Sequence, residues 1–249
     1  GSVRHVEVFR MRSVGTLIFE RPRPLSRQRR ANHLYTLICE EPFNDQPQVA
    51  AYAAQYRGLL DHPGLHQPVP GPWLHATVLR IGFIEDFNQD EMLEVAARLE
   101  PKLAAMHMPD FLLGQWWIWG GNPCVHFTPE GPLNELFGIV VNELSAAFDK
   151  DRLPQALTFT PHITLAYSKT YNDEIGLFNQ LQTKGIDAAP VQVNSLSLVK
   201  QRVIDDYYTW DLVKEIPVGQ RRSSEVSHAG AVKTSPVTRS DSGNLPDSD

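Results

Sequence analysis

The pattern His-x-Thr occurs twice in this chain, each time after a proline and at the start of an apolar, β-rich run. The first copy is His75–Thr77 in "PWLHATVLRIG", and the second, 87 positions later, is His162–Thr164 in "TPHITLAYS". Side chains two residues apart on a strand point to the same face, so each strand turns a histidine and a threonine to one side. The residues predicted to face the core are Ala76, Val78, Ile163 and Leu165.

The two motifs occupy equivalent places in a strand–helix pattern that roughly repeats along the chain. β-forming residues predict strands at 33–39, 74–83, 111–121, 123–130, 159–168, 191–203 and 207–218. Helical spacing of apolar residues predicts helices at 46–60, 88–106, 132–148 and 172–184. A single His-x-Thr is typical of a β-rich strand around a core histidine. Two copies in equivalent places instead indicate one shared site.

Local signals set some of the helix boundaries. Asn88 followed by Glu91 predicts a capping box at the start of the second helix. Pro101 lies inside the same helix and is expected to kink or divide it.

Two imidazoles and two hydroxyls around one small cavity suit the cleavage of a phosphodiester. Such a reaction needs a base that takes a proton from the nucleophile and an acid that protonates the leaving oxygen. Histidine suits both roles because its unperturbed pKa of about 6.5 lies near working pH. Threonine hydroxyls can donate hydrogen bonds to the phosphate oxygens as their charge grows. This chemistry requires no metal.

The two motifs, "HATVLRIG" and "HITLAYS", resemble those of the 2H phosphoesterase superfamily, which includes the bacterial RNA 2′,3′-cyclic phosphodiesterases formerly called 2′–5′ RNA ligases. The resemblance covers residues 33–218 in the family's element order. It implies a bilobal α+β fold in which two antiparallel sheets, related by pseudo-two-fold symmetry, meet around a central cleft with helices outside. It also implies metal-free and cofactor-free catalysis by His75, Thr77, His162 and Thr164.

The chain departs from the family pattern at two positions and matches it at a third. Tyr167 stands three places after the second motif's threonine, where many cyclic phosphodiesterases of the family have a basic residue, and Val78 replaces a common leucine. Gly82 matches the glycine that commonly closes the first motif strand. The candidates to supply the missing positive charge are Arg80, Lys169, Lys200 and Arg202. The substrate-binding candidates are Tyr167, Arg80, Trp119 and Lys200.

Other aromatic residues have two interpretations. In "QWWIWGG", core packing is the favoured use of the tryptophans. Trp117 and Trp119 share a face of the predicted strand, and the alternative is that one of them stacks on a base. Tyr207 and Tyr208 carry the same two interpretations.

The remaining histidines give no metal site. In "HPGLH" (62–66), Pro63 and Gly64 exclude the helix that would align the two histidines for zinc. The histidines predicted to be structural are His33, His107 and His126.

The charge distribution separates one basic segment from an acidic body. The net charge is −6, and removing the five arginines of "RPRPLSRQRR" (21–30) leaves −11 on the rest of the chain. That balance argues against a protein that coats nucleic acid through its phosphates. The arginine-rich segment is predicted to be a solvated arm, and the alternative is an electrostatic guide for a polyanionic substrate.

Composition predicts three regions. Residues 1–30 form an N-terminal extension with the Arg/Pro-rich arm, in which 14–19 can add an edge strand, and residues 31–218 form the 2H phosphoesterase-like domain. Residues 219–249, with seven serines and no aromatic residue, are predicted to be disordered. Two distant cysteines, short apolar runs and no signal-like segment predict a cytoplasmic protein without disulfides, and we expect a monomer.

These observations predict an enzyme that opens 2′,3′-cyclic phosphates of nucleotides or RNA ends by paired-histidine acid–base catalysis, without metal or cofactor. One alternative is a hydrolase of 2′–5′ linked or cyclic oligonucleotides. Another is a module that binds RNA or a nucleotide without turning it over. The sequence leaves open which histidine is the base and which is the acid.

Overall fold

The structure of the protein is a computed structural model, and it describes residues 34–39, 46–60, 66–119, 121–154, 159–169, 174–204 and 207–219. The predicted arginine-rich arm, the edge strand at 14–19 and nearly all of the serine-rich tail lie outside these residues. The three-region division therefore stays a prediction.

The described residues form ten strands and four helices. The strands are β1 (Leu34–Cys39), β2 (His66–Pro68), β3 (Ala76–Phe83), β4 (Phe111–Trp119), β5 (Asn122–Thr128), β6 (His162–Thr164), β7 (Ala166–Ser168), β8 (Ala189–Val191), β9 (Ser195–Ile204) and β10 (Tyr207–Pro217). The helices are α1 (Pro47–Leu60), α2 (Gln89–Ala104), α3 (Gly131–Ala147) and α4 (Glu174–Lys184). None of these helices is long and apolar enough to cross a membrane.

The strands form two four-stranded antiparallel sheets and one small two-stranded sheet. The first sheet has the order β10-β9-β1-β3, and the second has the order β6-β5-β4-β8. β2 and β7 pair with each other. Each motif strand, β3 or β6, lies at the edge of its four-stranded sheet, and the two strands contact each other. The predicted α+β class with antiparallel sheets is confirmed, and the pseudo-two-fold symmetry stays a prediction.

Helices pack against the sheets over a core that includes residues of both. α2 contacts β10 and α3, and α1 contacts β8 and β2. The α2–α3 contact carries ion pairs, because Lys102 and Arg98 both approach the carboxylate of Glu143. The predicted inward residues Ala76, Val78, Ile163 and Leu165 are all buried in this core. The alternation predicted for both motif strands is therefore confirmed.

The second motif strand differs from its prediction. The sequence predicts one strand over 159–168, but the structure divides it into β6 and β7, which belong to different sheets. At Leu165 the backbone changes partners: its N–H donates to the carbonyl of Pro123, and its own carbonyl accepts from Val69. The strand-forming residues of the segment were correctly identified, whereas the change of pairing partner depends on β2, for which the sequence predicted no strand.

The helix over 89–104 runs through Pro101 without division. The proline lies in the last turn, and the neighbouring Leu99 and Leu103 are fully buried, so packing holds the helical path. The predicted capping box is confirmed: the Asn88 side chain accepts a backbone N–H, and Glu91 accepts the N–H of Asn88.

The glycine that closes the first motif strand is required by packing. A Cβ on Gly82 would overlap the ring of Phe87, which is buried against Phe148 with ring centroids 5.1 Å apart. We expect Gly82→Ala to lower the free energy of unfolding by about 1–3 kcal/mol, because the ring must shift within a packed site. Urea denaturation measures this change.

The control is Gly58→Ala in α1, where the added methyl group meets no atom within 4 Å. That variant should gain about 0.5–1 kcal/mol, because alanine is the better helix former. Equal unfolding midpoints for the two variants would contradict the packing role of Gly82.

Candidate active site

The two motifs meet where the edges of the two main sheets come together. His75 directly precedes β3, and His162 is the first residue of β6. Because β3 and β6 contact each other, the two imidazoles lie close enough for the charge of His162 to lower the pKa of His75. Two motifs far apart in sequence therefore form one site.

Each imidazole bonds to the backbone carbonyl of the residue two positions before it. The Nδ1 of His75 is 2.9 Å from the carbonyl oxygen of Trp73, and the Nδ1 of His162 is 2.7 Å from the carbonyl oxygen of Thr160. A carbonyl oxygen only accepts, so each Nδ1 carries the proton and donates it. In the neutral ring, Nε2 is then the basic nitrogen. Both rings are held in the tautomer that a base acting through Nε2 requires.

Burial makes both histidines weaker bases than in water. Burial lowers the pKa of His75 to about 4, against a raising effect of the bond to Trp73, and the charges of Arg80 and His162 lower it further. Burial also lowers the pKa of His162, and His126 and Arg80 add to this effect. Both rings are therefore neutral at pH 7 in the protein alone.

The motif threonines lie on the same sheet faces as their histidines and are half-buried. Thr164 lies opposite Cys124 across the β5–β6 pair, and the Cys124 Sγ is 3.6 Å from the Thr164 Oγ1. Thr77 lies opposite Ile38 on β1. Each threonine is thus placed by strand register two residues after its histidine, with its side chain partly accessible.

A β-bulge turns Arg80 to the side of the sheet that carries Thr77. Thr77 pairs with Ile38 and Arg80 pairs with Thr36, so three steps along β3 match two steps along β1. Without the extra residue, side chains three apart would point to opposite faces. The charge of Arg80 lowers the pKa of both His75 and His162. One cation therefore acts on both imidazoles.

Aromatic side chains surround Arg80 and His75. The Arg80 guanidinium lies 5.2 Å from the ring centre of Tyr208, and its nitrogen donates to the Tyr208 hydroxyl at 3.4 Å. Tyr208 also contacts Tyr167 edge-on at 5.5 Å. Trp210 packs on the His75 ring at 4.7 Å. Burial raises the pKa of the Tyr167 phenol, so this residue is neutral and its hydroxyl remains a hydrogen-bond donor.

The remaining predicted binding residues do not all join this group. The Nζ of Lys200 donates to Gln89 at the start of α2, which places it on the opposite face of the first sheet from Arg80. Arg202 forms an ion pair with Asp211. Trp119 lies opposite Asn122 at the end of β4, and its side chain lies outside the described part of the structure. Lys169 is exposed just after β7.

Two residues beside the second motif were not predicted to belong to the site. His126, predicted to be structural, lies directly opposite His162, with ring centroids 6.3 Å apart, and Cys124 lies opposite Thr164. The only signal was the alternation of Cys124 and His126 with apolar residues in "PCVHFTPE", which predicts a shared face. Nothing in that pattern shows that β5 pairs with the motif strand.

The fold is shared with solved structures of low sequence identity. TT0787 of Thermus thermophilus matches with a TM-score of 0.58 and 16% identity, over 76% of this chain and 99% of that chain. E. coli LigT complexed with 3′-AMP matches with a TM-score of 0.55 and 13% identity, over the same shares. A structure described as a phosphoesterase also matches, with a TM-score of 0.55 and 14% identity. These likenesses show the fold.

No protein-family model matches this chain, and no curated protein matches it.

The charge of Arg80 should affect the pKa of both motif histidines. We expect Arg80→Gln to raise the pKa of both His75 and His162, because the charge that disfavours their protonated forms is removed. Titration of the histidine ring signals by NMR measures both values, with His75→Gln and His162→Gln used for assignment.

Arg80→Lys, which keeps the charge, should shift the two values less. Arg98→Gln is the control for loss of an arginine elsewhere, since Arg98 pairs with Glu143 between two helices. A rise at only one histidine, or none, would show that Arg80 does not face both rings.

Proposed function

We propose that this chain, which has the fold of the 2H phosphoesterases, is a metal-independent phosphodiesterase that opens 2′,3′-cyclic phosphates of nucleotides or RNA ends. The observation that carries the proposal is the matched pair of imidazoles, each fixed by a carbonyl two residues earlier and both close to Arg80. A structural role for either histidine would not require the same tautomer in both.

In the opening of the cyclic phosphate, each of the two histidines carries out one proton transfer. Water attacks the phosphorus as a base removes its proton, the bond from phosphorus to one ribose oxygen breaks, and an acid protonates that oxygen. We assign the base role to His75, because it is the more buried of the two rings and burial disfavours its protonated form. His162 is then the acid, and the negative charge of the bound phosphate favours its protonation.

The negative charge that develops on the phosphate is stabilised by Thr77, Thr164 and Arg80. The hydroxyls can donate to the non-bridging oxygens, and Arg80 supplies a positive charge in place of the basic residue that Tyr167 replaces. The bulge in β3 is what makes this replacement geometrically available. No step of this scheme requires a metal ion.

A nucleotide substrate is supported by two further observations. LigT, which shares the fold, forms complexes with 3′-AMP and NADP+. Tyr208 is half-buried beside Arg80 and His75, where an aromatic face can contact a nucleoside.

The first test removes each histidine. We expect His75→Ala and His162→Ala each to lower kcat on a 2′,3′-cyclic nucleotide by about 10²–10⁴-fold, because each loses one proton transfer. The assay contains EDTA, and the wild-type rate should be unaffected by it. Retained activity in either variant would contradict the proposal.

A second substrate separates the two roles. Bis(p-nitrophenyl) phosphate has a leaving group that departs without a proton, so the acid is dispensable for it. We expect His162→Ala to keep most of its rate on this ester, whereas His75→Ala loses its rate on both substrates. The reverse pattern would exchange the assignments. A panel of 2′–5′ linked and cyclic oligonucleotides, assayed alongside, tests the alternative substrates, and binding without product would favour a non-catalytic module.

The hydroxyl of Thr164 is expected to stabilise the transition state. Thr164→Val keeps the shape of the side chain and removes the donor, so we expect kcat to fall by about 10²-fold with little change in KM. Thr164→Ser, which keeps the hydroxyl, should retain most of the activity. Equal losses in the two variants would show that the methyl packing, not the hydroxyl, is what matters at this position.

A further inference from the structure

Trp117 is the most exposed large apolar side chain among the described residues, at 57%. It lies on β4, whose opposite face buries Phe111 and Leu113 in the core. A large indole in water gains little for folding, whereas its flat face is well suited to stack on a nucleobase. Trp117 can stack on a base of the substrate only if it lies near the two motif histidines.

The strand register places Trp117 in one row with the second motif. Trp117 lies opposite Cys124 on β5, and Cys124 lies opposite Thr164 on β6. Residues directly opposite in an antiparallel pair share a face, so all three side chains project from the same side of the sheet. Two interstrand spacings separate Trp117 from Thr164, about 10 Å.

Aromatic surfaces therefore lie on both sides of the catalytic pair. Tyr208 lies on the first sheet beside His75 and Arg80, and Trp117 lies on the second sheet beyond Thr164. A mononucleotide has one base and can use only one of these surfaces. An oligonucleotide end has a second base that can use the other surface.

The charge of the chain favours this mode of binding. The sequence outside the arginine-rich arm carries −11, so its acidic residues outnumber the cations that could hold additional phosphates. Stacking on an aromatic ring holds a base without neutralising the backbone. It thus extends the substrate contact in a way that an acidic protein can use.

We propose that Trp117 is a stacking site for the base next to the nucleoside that carries the reacting phosphate, so that the substrate is an oligonucleotide end bearing a 2′,3′-cyclic phosphate. This inference rests on the proposed phosphodiesterase activity. It assigns to the second sheet a binding role beyond the His162–Thr164 pair.

The test compares two substrates with the same reacting group. One is cytidine 2′,3′-cyclic phosphate, and the other is a dinucleotide that ends in the same cyclic cytidylate. We expect the wild-type protein to have the higher kcat/KM on the dinucleotide. In Trp117→Ala this preference should fall by about 10-fold through KM, and in Trp117→Phe most of it should remain, because the smaller ring still stacks. The preference should differ little between low and high salt, since stacking neutralises no phosphate.

Leu112→Ala is the matched control. Leu112 is 48% exposed on the same face of the same strand but lies opposite Thr128, far from the row of Thr164. It should keep the wild-type preference. If the wild-type protein opens both substrates equally, or if Trp117→Ala keeps the preference, the stacking site is wrong and the phosphodiesterase proposal stands. If the wild-type protein opens neither substrate, the phosphodiesterase proposal itself fails.

Discussion

The site depends on the contact between two sheet edges. β3 and β6 each end the strand order of their own sheet, and each is the strand that carries a His-x-Thr pair. An edge strand has backbone groups on one side that its own sheet leaves unpaired, and natural proteins usually cover such edges. Here the two edges lie against each other, over a core that contains Val78 of one and Ile163 of the other. That packing brings two remote motifs close together.

The same burial determines the electrostatics of the two histidines. Two imidazoles and a guanidinium lie close together in a partly desolvated place, so protonation of either ring is unfavourable until an anion arrives. An anionic ligand would offset part of that penalty by supplying the opposite charge. The buried, neutral Tyr167 adds no negative charge beside the two rings.

The sequence predicted the parts of the site that follow from local rules. Alternation along each motif strand correctly placed His75 with Thr77 and His162 with Thr164, because strand geometry has a period of two. It failed where pairing partners change. The break at Leu165 depends on β2, and the proximity of His126 to His162 depends on the β5–β6 register. Neither partner can be identified from the residues themselves.

The placement of Arg80 could not be predicted from local sequence rules. The sequence determined the two His-x-Thr pairs, their inward neighbours and the antiparallel α+β class, because polar and apolar periodicity alone specifies which side chains share a face. Only the tertiary structure decided that Arg80 joins the pair while Lys200 does not. The Arg80 side chain lies on the same face as Thr77 because β3 has one extra residue relative to β1. Such a bulge is fixed by the partner strand and the core rather than by the strand's own sequence.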